Sequence, residues 1–270
     1  MNGLFRRGLL LGTLGMVLPW TGAVAVPFTT DLTITGSVDF DNANAVADGN
    51  VTQTGSFFTT EGGVTTSSTF SGTTVTGDDP LPGTLTDLDD GFGISADVDA
   101  AFDSEFFAGI DIVIDVANTS ATDTYKVTFK IDFSNLVDAD GADAFAESEF
   151  IVDSPPGTEV FFSDLLSDTV NGDEAGGMST GTAGEVQSES GMVFFDVIVA
   201  PLTTAQITAD WTLDGGVFAD PGAAIADFFG FISVDNVMNQ TAPPGVPAPA
   251  TLVLLGLGLG GVGALRRRAV

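Results

Sequence analysis

Carboxylates are almost the only reactive groups this sequence offers. It holds 37 Asp and Glu residues but no cysteine and no histidine. Thiolate nucleophiles, zinc–sulfur sites, imidazole ligands and a Ser-His-Asp triad are therefore excluded. The densest local group is "VDADGADAF", where Asp138, Asp140 and Asp143 surround Gly141. Three carboxylates on one turn suit a hard cation such as calcium, which needs several oxygen ligands. The glycine comes earlier than in an EF-hand loop, and Glu147 or Glu149 is the nearest further ligand. "TDLDDGFG" offers Asp87, Asp89 and Asp90, and "DFDNANAVADGN" offers Asp39, Asp41, Asn42, Asn44 and Asp48. Asp-Gly and Asn-rich turns explain such runs equally well without a ligand. Paired carboxylates can hydrolyse glycosides, but among so many acids some pairs fall in range in any fold. No motif singles one out, so the expectation is a protein that is not an enzyme.

The charge is unevenly spread. The net charge is −30, yet all five arginines sit at the ends, at Arg6, Arg7, Arg266, Arg267 and Arg268. Between the ends, Lys126 and Lys130 face all 37 acidic residues, a charge of −35. Such a body repels nucleic acid and anionic headgroups, and its self-repulsion opposes folding unless salt or divalent ions screen it.

The N-terminus, "MNGLFRRGLLLGTLGMVLPWTGAVAVPF", has a basic start, an apolar run over residues 9–18 and the small-x-small site Ala23-Val24-Ala25. It reads as a secretory signal peptide cleaved near Ala25. The Arg6-Arg7 pair is a weak hint of twin-arginine export. The C-terminus, "VPAPATLVLLGLGLGGVGALRRRAV", has an apolar run over residues 250–265 with five glycines. As a helix it spans about 24 Å, short of a hydrocarbon core of about 30 Å. The terminal arginines would stay cytoplasmic, leaving the body outside.

This ending resembles the PEP-CTERM sorting signal: Pro-x-Pro, a short glycine-rich apolar helix, then terminal arginines. The matching residues are Val246, Pro247, Ala248 and Pro249, followed by Arg266, Arg267 and Arg268. Ala248 stands where glutamate is usual. The resemblance covers about 25 residues at the chain end. It implies export through the inner membrane of a Gram-negative bacterium that makes extracellular polysaccharide. It also implies an exosortase-like membrane enzyme as processing partner, with the C-terminal transmembrane helix as a transient anchor.

Between the ends the pattern has period two. Leu32, Ile34, Val38 and Phe40 share a face, as do Ile110, Ile112, Ile114 and Val116, and Tyr125, Val127, Phe129, Ile131 and Phe133. Val193, Phe195, Val197 and Val199 form another such set, and Ile207, Ala209, Trp211 and Leu213 a fifth. Alternation of this kind, rich in threonine and valine, predicts half-buried strands. Residues 230–239 are apolar in both parities, as in a strand buried on both faces or paired centrally. Residues 160–166 lack the alternation and suggest a helical turn, and residues 171–191 read as a mobile loop.

The expected architecture is an all-β antiparallel sandwich, jelly-roll-like, of roughly eight to twelve strands. Residues 1–25 are the signal peptide, 26–240 the extracellular body, 241–249 a Pro-rich linker and 250–270 the sorting helix with its basic tail. "DSPPGT" at residues 153–158 is the place for any domain split. A hairpin of residues 110–116 with 125–133 would set Asp115 opposite Lys126 and Asp111 opposite Lys130.

Trp211 falls on the apolar face of its strand. The body holds just one further residue of the kinds that usually stack on sugars, Tyr125. The functional expectation is an exported structural or adhesive protein of the cell surface or polysaccharide matrix. The alternative is a calcium-dependent carbohydrate-binding module.

Overall fold

The computed structural model describes residues 30–241. The signal segment with Ala23 and Ala25 lies outside them, as does the sorting segment from Val246 to Arg268. Fourteen strands and no helix make up the described residues. Every strand pairing is antiparallel.

The longest strand, β6 (Gly91–Asn118), organises the rest. On one side it pairs with β1 (Leu32–Phe40) and then β2 (Val46–Glu61), which follow one another along its length. On the other side residues 91–101 pair with β14 (Gly222–Asn239), and residues 104–117 pair with β13 (Thr204–Val217). β6 thus belongs to two layers. One layer runs β3 (Val64–Ser71), β2, β6, β14, β7 (Tyr125–Gly141), β12 (Gln187–Val199), with β4 (Thr74–Thr76) beyond β3. The other runs β5 (Leu81–Leu85), β1, β6, β13, β8 (Ala144–Asp153), β9 (Glu159–Asp168), β10 (Glu174–Ala175), β11 (Met178–Ser179).

The two strands bend together where the layers part. Asp103 adopts φ 63° on β6, and Gly49 adopts φ 76° on β2, beside a register break between Gly49 and Val51. A Cβ on Gly49 would sit 1.7 Å from the Asp103 carbonyl, so only glycine permits this approach. The Asn50 amide closes the bend by donating to the Phe102 carbonyl at 2.7 Å.

All five alternating sets form strands, with four of them buried throughout. In the β12 set Val197 and Val199 are buried, while Val193 and Phe195 are half-buried. Core residues from both layers join one cluster, and Trp211, its largest fully buried side chain, has Phe228 stacked on it. β14 is paired centrally, between β6 and β7.

The fourteen strands exceed the eight to twelve expected, because β4, β10 and β11 are only two or three residues long and leave no alternation to read; three further expectations change. The hairpin of residues 110–116 with 125–133 does not form: β6 pairs there with β1 and β13, while β7 pairs with β14 and β12. The connection after β6 instead crosses between layers. The buried Asn118 side chain holds it, donating to the carbonyls of Asp123 (2.7 Å), Ala200 (3.0 Å) and Val199 (3.1 Å). The apolar faces still meet in one core, from opposite layers. Each lysine does find an aspartate, but Lys126 takes Asp196 at 3.0 Å and Lys130 takes Asp132 at 3.1 Å.

Residues 160–166 form strand β9, not a helical turn. Its inward positions alternate Phe161, Ser163, Leu165 and Ser167, so the serines hid the period. Residues 171–191 are not a bare loop. They contain β10, β11 and the start of β12, organised around the buried Asp173. Residues 153–158 are the turn between β8 and β9, neighbours in one layer.

Candidate functional site

The two outer faces of the molecule differ in chemistry. On the first layer, rows of cross-strand neighbours run over β3, β2, β6, β14, β7 and β12. One row reads Ser67, Phe58, Gly93, Phe231, Asp132, Met192. The next reads Thr69, Ser56, Ser95, Phe229, Ser134, Ser190. Three phenylalanines therefore meet outside the core. Phe58 stacks on Phe231 at 5.7 Å and on Phe229 at 6.3 Å, with planes within 25°. Gly93 makes room: a Cβ there would lie 2.4 Å from the Phe58 ring. Phe229 is 38% exposed, and Phe58 and Phe231 are half-buried.

Beside this patch lies a shallow groove of about 410 Å³. Four hydroxyls, of Thr54, Ser56, Thr69 and Ser95, and the Asp97 carboxylate line it together with the apolar Gly55, Phe70 and Ala96. Ring faces next to hydroxyl donors and acceptors match a sugar, which has apolar C–H faces and hydroxyl edges. In the sequence, Trp211 and Tyr125 are the conspicuous sugar-stacking candidates, and these phenylalanines are not. Both of those residues are core. The signal was present in "SFFTT" and "FFGF", where adjacent phenylalanines must point to opposite faces of a strand.

The second layer's outer face carries an acidic row. Asp39 on β1 is directly opposite Asp111 on β6, which is directly opposite Asp210 on β13. Like charges so placed destabilise a sheet and share protons. Burial, a hydrogen bond with Asp210 and the nearby charges of Asp210, Asp39 and Asp41 push Asp111 up to about 6. Burial and Asp79 likewise raise Asp39. Further along, burial and the neighbouring acids raise Glu147, Glu149 and Asp164.

Asp138 and Asp140 sit two apart on β7, and exposed Asp143 lies in the turn to β8. Glu147 and Glu149, the suggested further ligands, are on β8 in the other layer. Among the described residues no three acidic side chains converge closely enough to hold a metal ion. The run of Asp87, Asp89 and Asp90 is also divided. Asp90 is buried and accepts from the backbone N–H groups of Thr86 (2.8 Å), Gly62 (2.9 Å), Asp87 (2.9 Å) and Gly63 (3.4 Å). Burial pushes Asp90 up, but these four donors together hold it below its ordinary value. Asp89 faces Lys130 at 3.7 Å. Asp41 turns back on its own loop, accepting from Asn44 Nδ2 at 2.6 Å.

These two sets of carboxylates give an unusual pH profile. Asp111 binds its proton more tightly folded (about 6) than unfolded (ordinary value 3.8). Its effect is destabilising at neutral pH and is relieved as pH falls from about 6 to 3.8. Asp90, Asp168 and Asp173 are held below the same 3.8, so their support is lost only at lower pH. Stability is expected to peak at about pH 4, well below the usual optimum. Asp111→Asn should raise the melting temperature by about 2–4 °C at pH 7.5 and leave it unchanged at pH 4. Thermal melts of both proteins across pH check this; an equal gain at both pH values would remove the shared-proton account.

Fold and faces together define an antiparallel all-β protein with an aromatic, hydroxyl-rimmed face on one layer and an acidic row on the other. No protein-family model and no curated protein matches the chain. Among solved structures it is similar to infectious bursal disease virus, Gt strain, at 10% identity over 86% of this chain and 72% of that one, with a TM-score of 0.16. The VP2 subviral particle of infectious bursal disease virus gives 11% identity over 86% and 73%, with a TM-score of 0.15. Scores this low carry no argument about fold or function.

Proposed function

We propose that the chain is an exported structural or adhesive protein of the cell surface or polysaccharide matrix, with a jelly-roll-like sandwich as its body. In this reading an exosortase-like enzyme processes it from a transient anchor in the inner membrane of a Gram-negative bacterium. The observation that carries the reading is the order of features at the chain end: Pro247-Ala248-Pro249, the apolar glycine-rich run, then Arg266, Arg267 and Arg268. The acidic body fits that destination, since its charge keeps it soluble and away from anionic membrane surfaces. Mass spectrometry of the protein from its native host is the test. The expected mature form lacks the leader through Ala25 and the arginine tail. An intact arginine tail on the surface protein would overturn processing.

A second reading, carbohydrate binding, is favoured by one specific observation, the Phe58–Phe229–Phe231 patch beside a hydroxyl-lined groove. Calorimetry with the host's matrix polysaccharide tests it. Phe58→Ala or Phe231→Ala should weaken binding about tenfold, the loss of roughly one ring contact. Repeating the titration with a chelator reads any dependence on calcium. No heat with the wild type, or equal heat with both variants, ends this reading.

A further inference from the structure

β12 is an edge strand with the composition of a central one. It pairs with β7 along all of its 13 residues without a register break, and no described strand pairs with its other edge. Residues 192–199 read "MVFFDVIV", apolar in both parities. One face projects Met192, Phe194 and Ile198 outward at 56%, 51% and 60% exposure. The other turns Val193 and Phe195 toward the core, where they stay only half-covered. Strands apolar on both faces belong inside sheets, because each face then has a layer or a neighbour to cover it.

Proteins guard such edges with lysine, proline, bulges or short length. The other outermost strands show this: β5 has five residues including Pro82, β4 has three and β11 has two. β12 has neither lysine nor proline and no bulge.

Charge narrows the choice of occupant. The body carries 37 acidic residues and two lysines, so most approaches between two copies bring anion against anion. Both lysines lie on β7, the neighbour of β12, and both are neutralised there. Lys126 holds Asp196, the single charge of residues 190–199, at 3.0 Å, and Thr128 Oγ1 donates to the same carboxylate at 2.7 Å. Lys130 holds Asp132 at 3.1 Å. Over residues 125–134 and 190–199 the margin thus carries two lysines against two aspartates, a locally balanced stretch on a strongly anionic body, with Asp138, Asp140 and Glu189 beyond it.

We propose that β12 is an association edge and that its occupant is a second copy of this chain, with the two β12 strands antiparallel about a two-fold axis. Such a contact closes on itself and joins the β12-edged layers of two copies into one continuous sheet. Cross-strand partners share a face, so the allowed registers pair outward residues with outward ones. With Phe195 on the axis, Met192 meets the second copy's Ile198, and Phe194 lies beside the neutralised Asp196. The remaining charge makes association weak at low ionic strength and stronger in salt. This inference does not depend on the sorting or carbohydrate readings.

Sedimentation velocity of the full chain tests it, from about 1 to 100 μM protein and from low salt to about 0.5 M sodium chloride. A monomer–dimer equilibrium that tightens with salt is expected. Phe194→Lys and Ile198→Lys should each weaken it at least about tenfold, with circular dichroism unchanged because both side chains point to solvent. The chain has no cysteine, so an introduced one is its single thiol. In this register the two introduced thiols lie on a diagonal of the paired strands, about 7–8 Å apart, so Phe194→Cys should be joined into a dimer by a bis-maleimide with a spacer of about 8 Å, and Val64→Cys, more exposed on β3, should not. A monomer under all conditions, equal association in the lysine variants, or equal cross-linking at both positions would overturn the proposal. Association through the apolar C-terminal run would persist in the lysine variants and so counts against it. The cysteine pair decides the matter even where a lysine variant fails to fold.

Discussion

Phe228→Ala is expected to destabilise the protein by about 3–5 kcal/mol, lowering its melting temperature by about 10 °C. Phe228 sits on β14 in the first layer and is 1% exposed. Its ring stacks on Trp211 of the second layer at 5.1 Å and 21°, and meets Phe150 edge-on at 5.2 Å and 66°. Phe150 passes the contact to Phe161 at 5.7 Å, and Phe161 to Phe133, back in the first layer, at 4.6 Å. Removing the central ring opens a cavity between two sheets whose hydrogen-bonded backbones cannot collapse into it. Trp211 would also lose its stacking partner, although its Nε1 still donates to Ser148 Oγ at 3.2 Å. Phe229, the next residue, points outward, so Phe229→Ala should change stability by less than about 1 kcal/mol. Urea denaturation of both variants measures the contrast. Equal losses would mean that the interlayer aromatic chain is not what joins the sheets.

That contrast between adjacent residues marks how far the sequence could be read. Alternation is a local property, and it correctly set the inward faces of β1, β7 and β13 and of the far end of β6. It also placed Trp211 in the core. Partner choice is a global property, and alternation does not encode it. The Ile110–Val116 face can be covered by a hairpin neighbour or by the opposite layer, and alternation is the same in both cases. Complementary charge did not decide between them either, because with 37 acids each lysine finds an aspartate in any arrangement.

β9 shows no alternation in sequence because Ser163 and Ser167 occupy inward positions. Their hydroxyls are occupied there: Ser163 Oγ accepts from Asn135 Nδ2 at 3.2 Å, and Ser167 Oγ accepts from the Ala139 N–H at 3.0 Å. A buried serine with a partner is chemically comfortable, yet in sequence it is indistinguishable from an exposed one. The acidic clusters mislead for a related reason. Asp-rich turns look like cation ligands, whereas Asp90 and Asp41 spend their oxygens on N–H groups of their own and neighbouring turns. Backbone donors leave no trace in the sequence.

The same logic makes Asp173 the most consequential carboxylate in the molecule. It is 0% exposed, and among the described residues both lysines pair with other aspartates. Its two oxygens accept instead from the N–H groups of Gly184 (2.7 Å), Asp168 (2.9 Å) and Glu185 (3.0 Å). Thr182 Oγ1 donates at 2.8 Å and Gln187 Nε2 at 3.3 Å. These donors come from both ends of the segment that joins β9 to β12, so one side chain closes the whole excursion. Burial pushes the carboxyl up, but donation from Asp168, Thr182, Glu185 and Gly184 outweighs it and holds Asp173 below its ordinary value.

Asp173→Ala strands several buried donors at once and is expected to lose about 3 kcal/mol or more. Asp173→Asn should be little better, because it keeps the shape but turns an NH₂ group toward donors. The loss should begin locally, since β10 and β11 have two residues each and little core of their own. Hydrogen exchange should therefore accelerate first at Gly184 and Glu185, with the amides of β13 still protected. The support from Asp173 is present above pH 3.8 and fades as pH falls through the lower folded value. The difference between wild type and Asp173→Ala should accordingly shrink toward pH 2. A difference that stays constant with pH would mean that the charge on Asp173 plays no part, and that the segment is held by its strands alone.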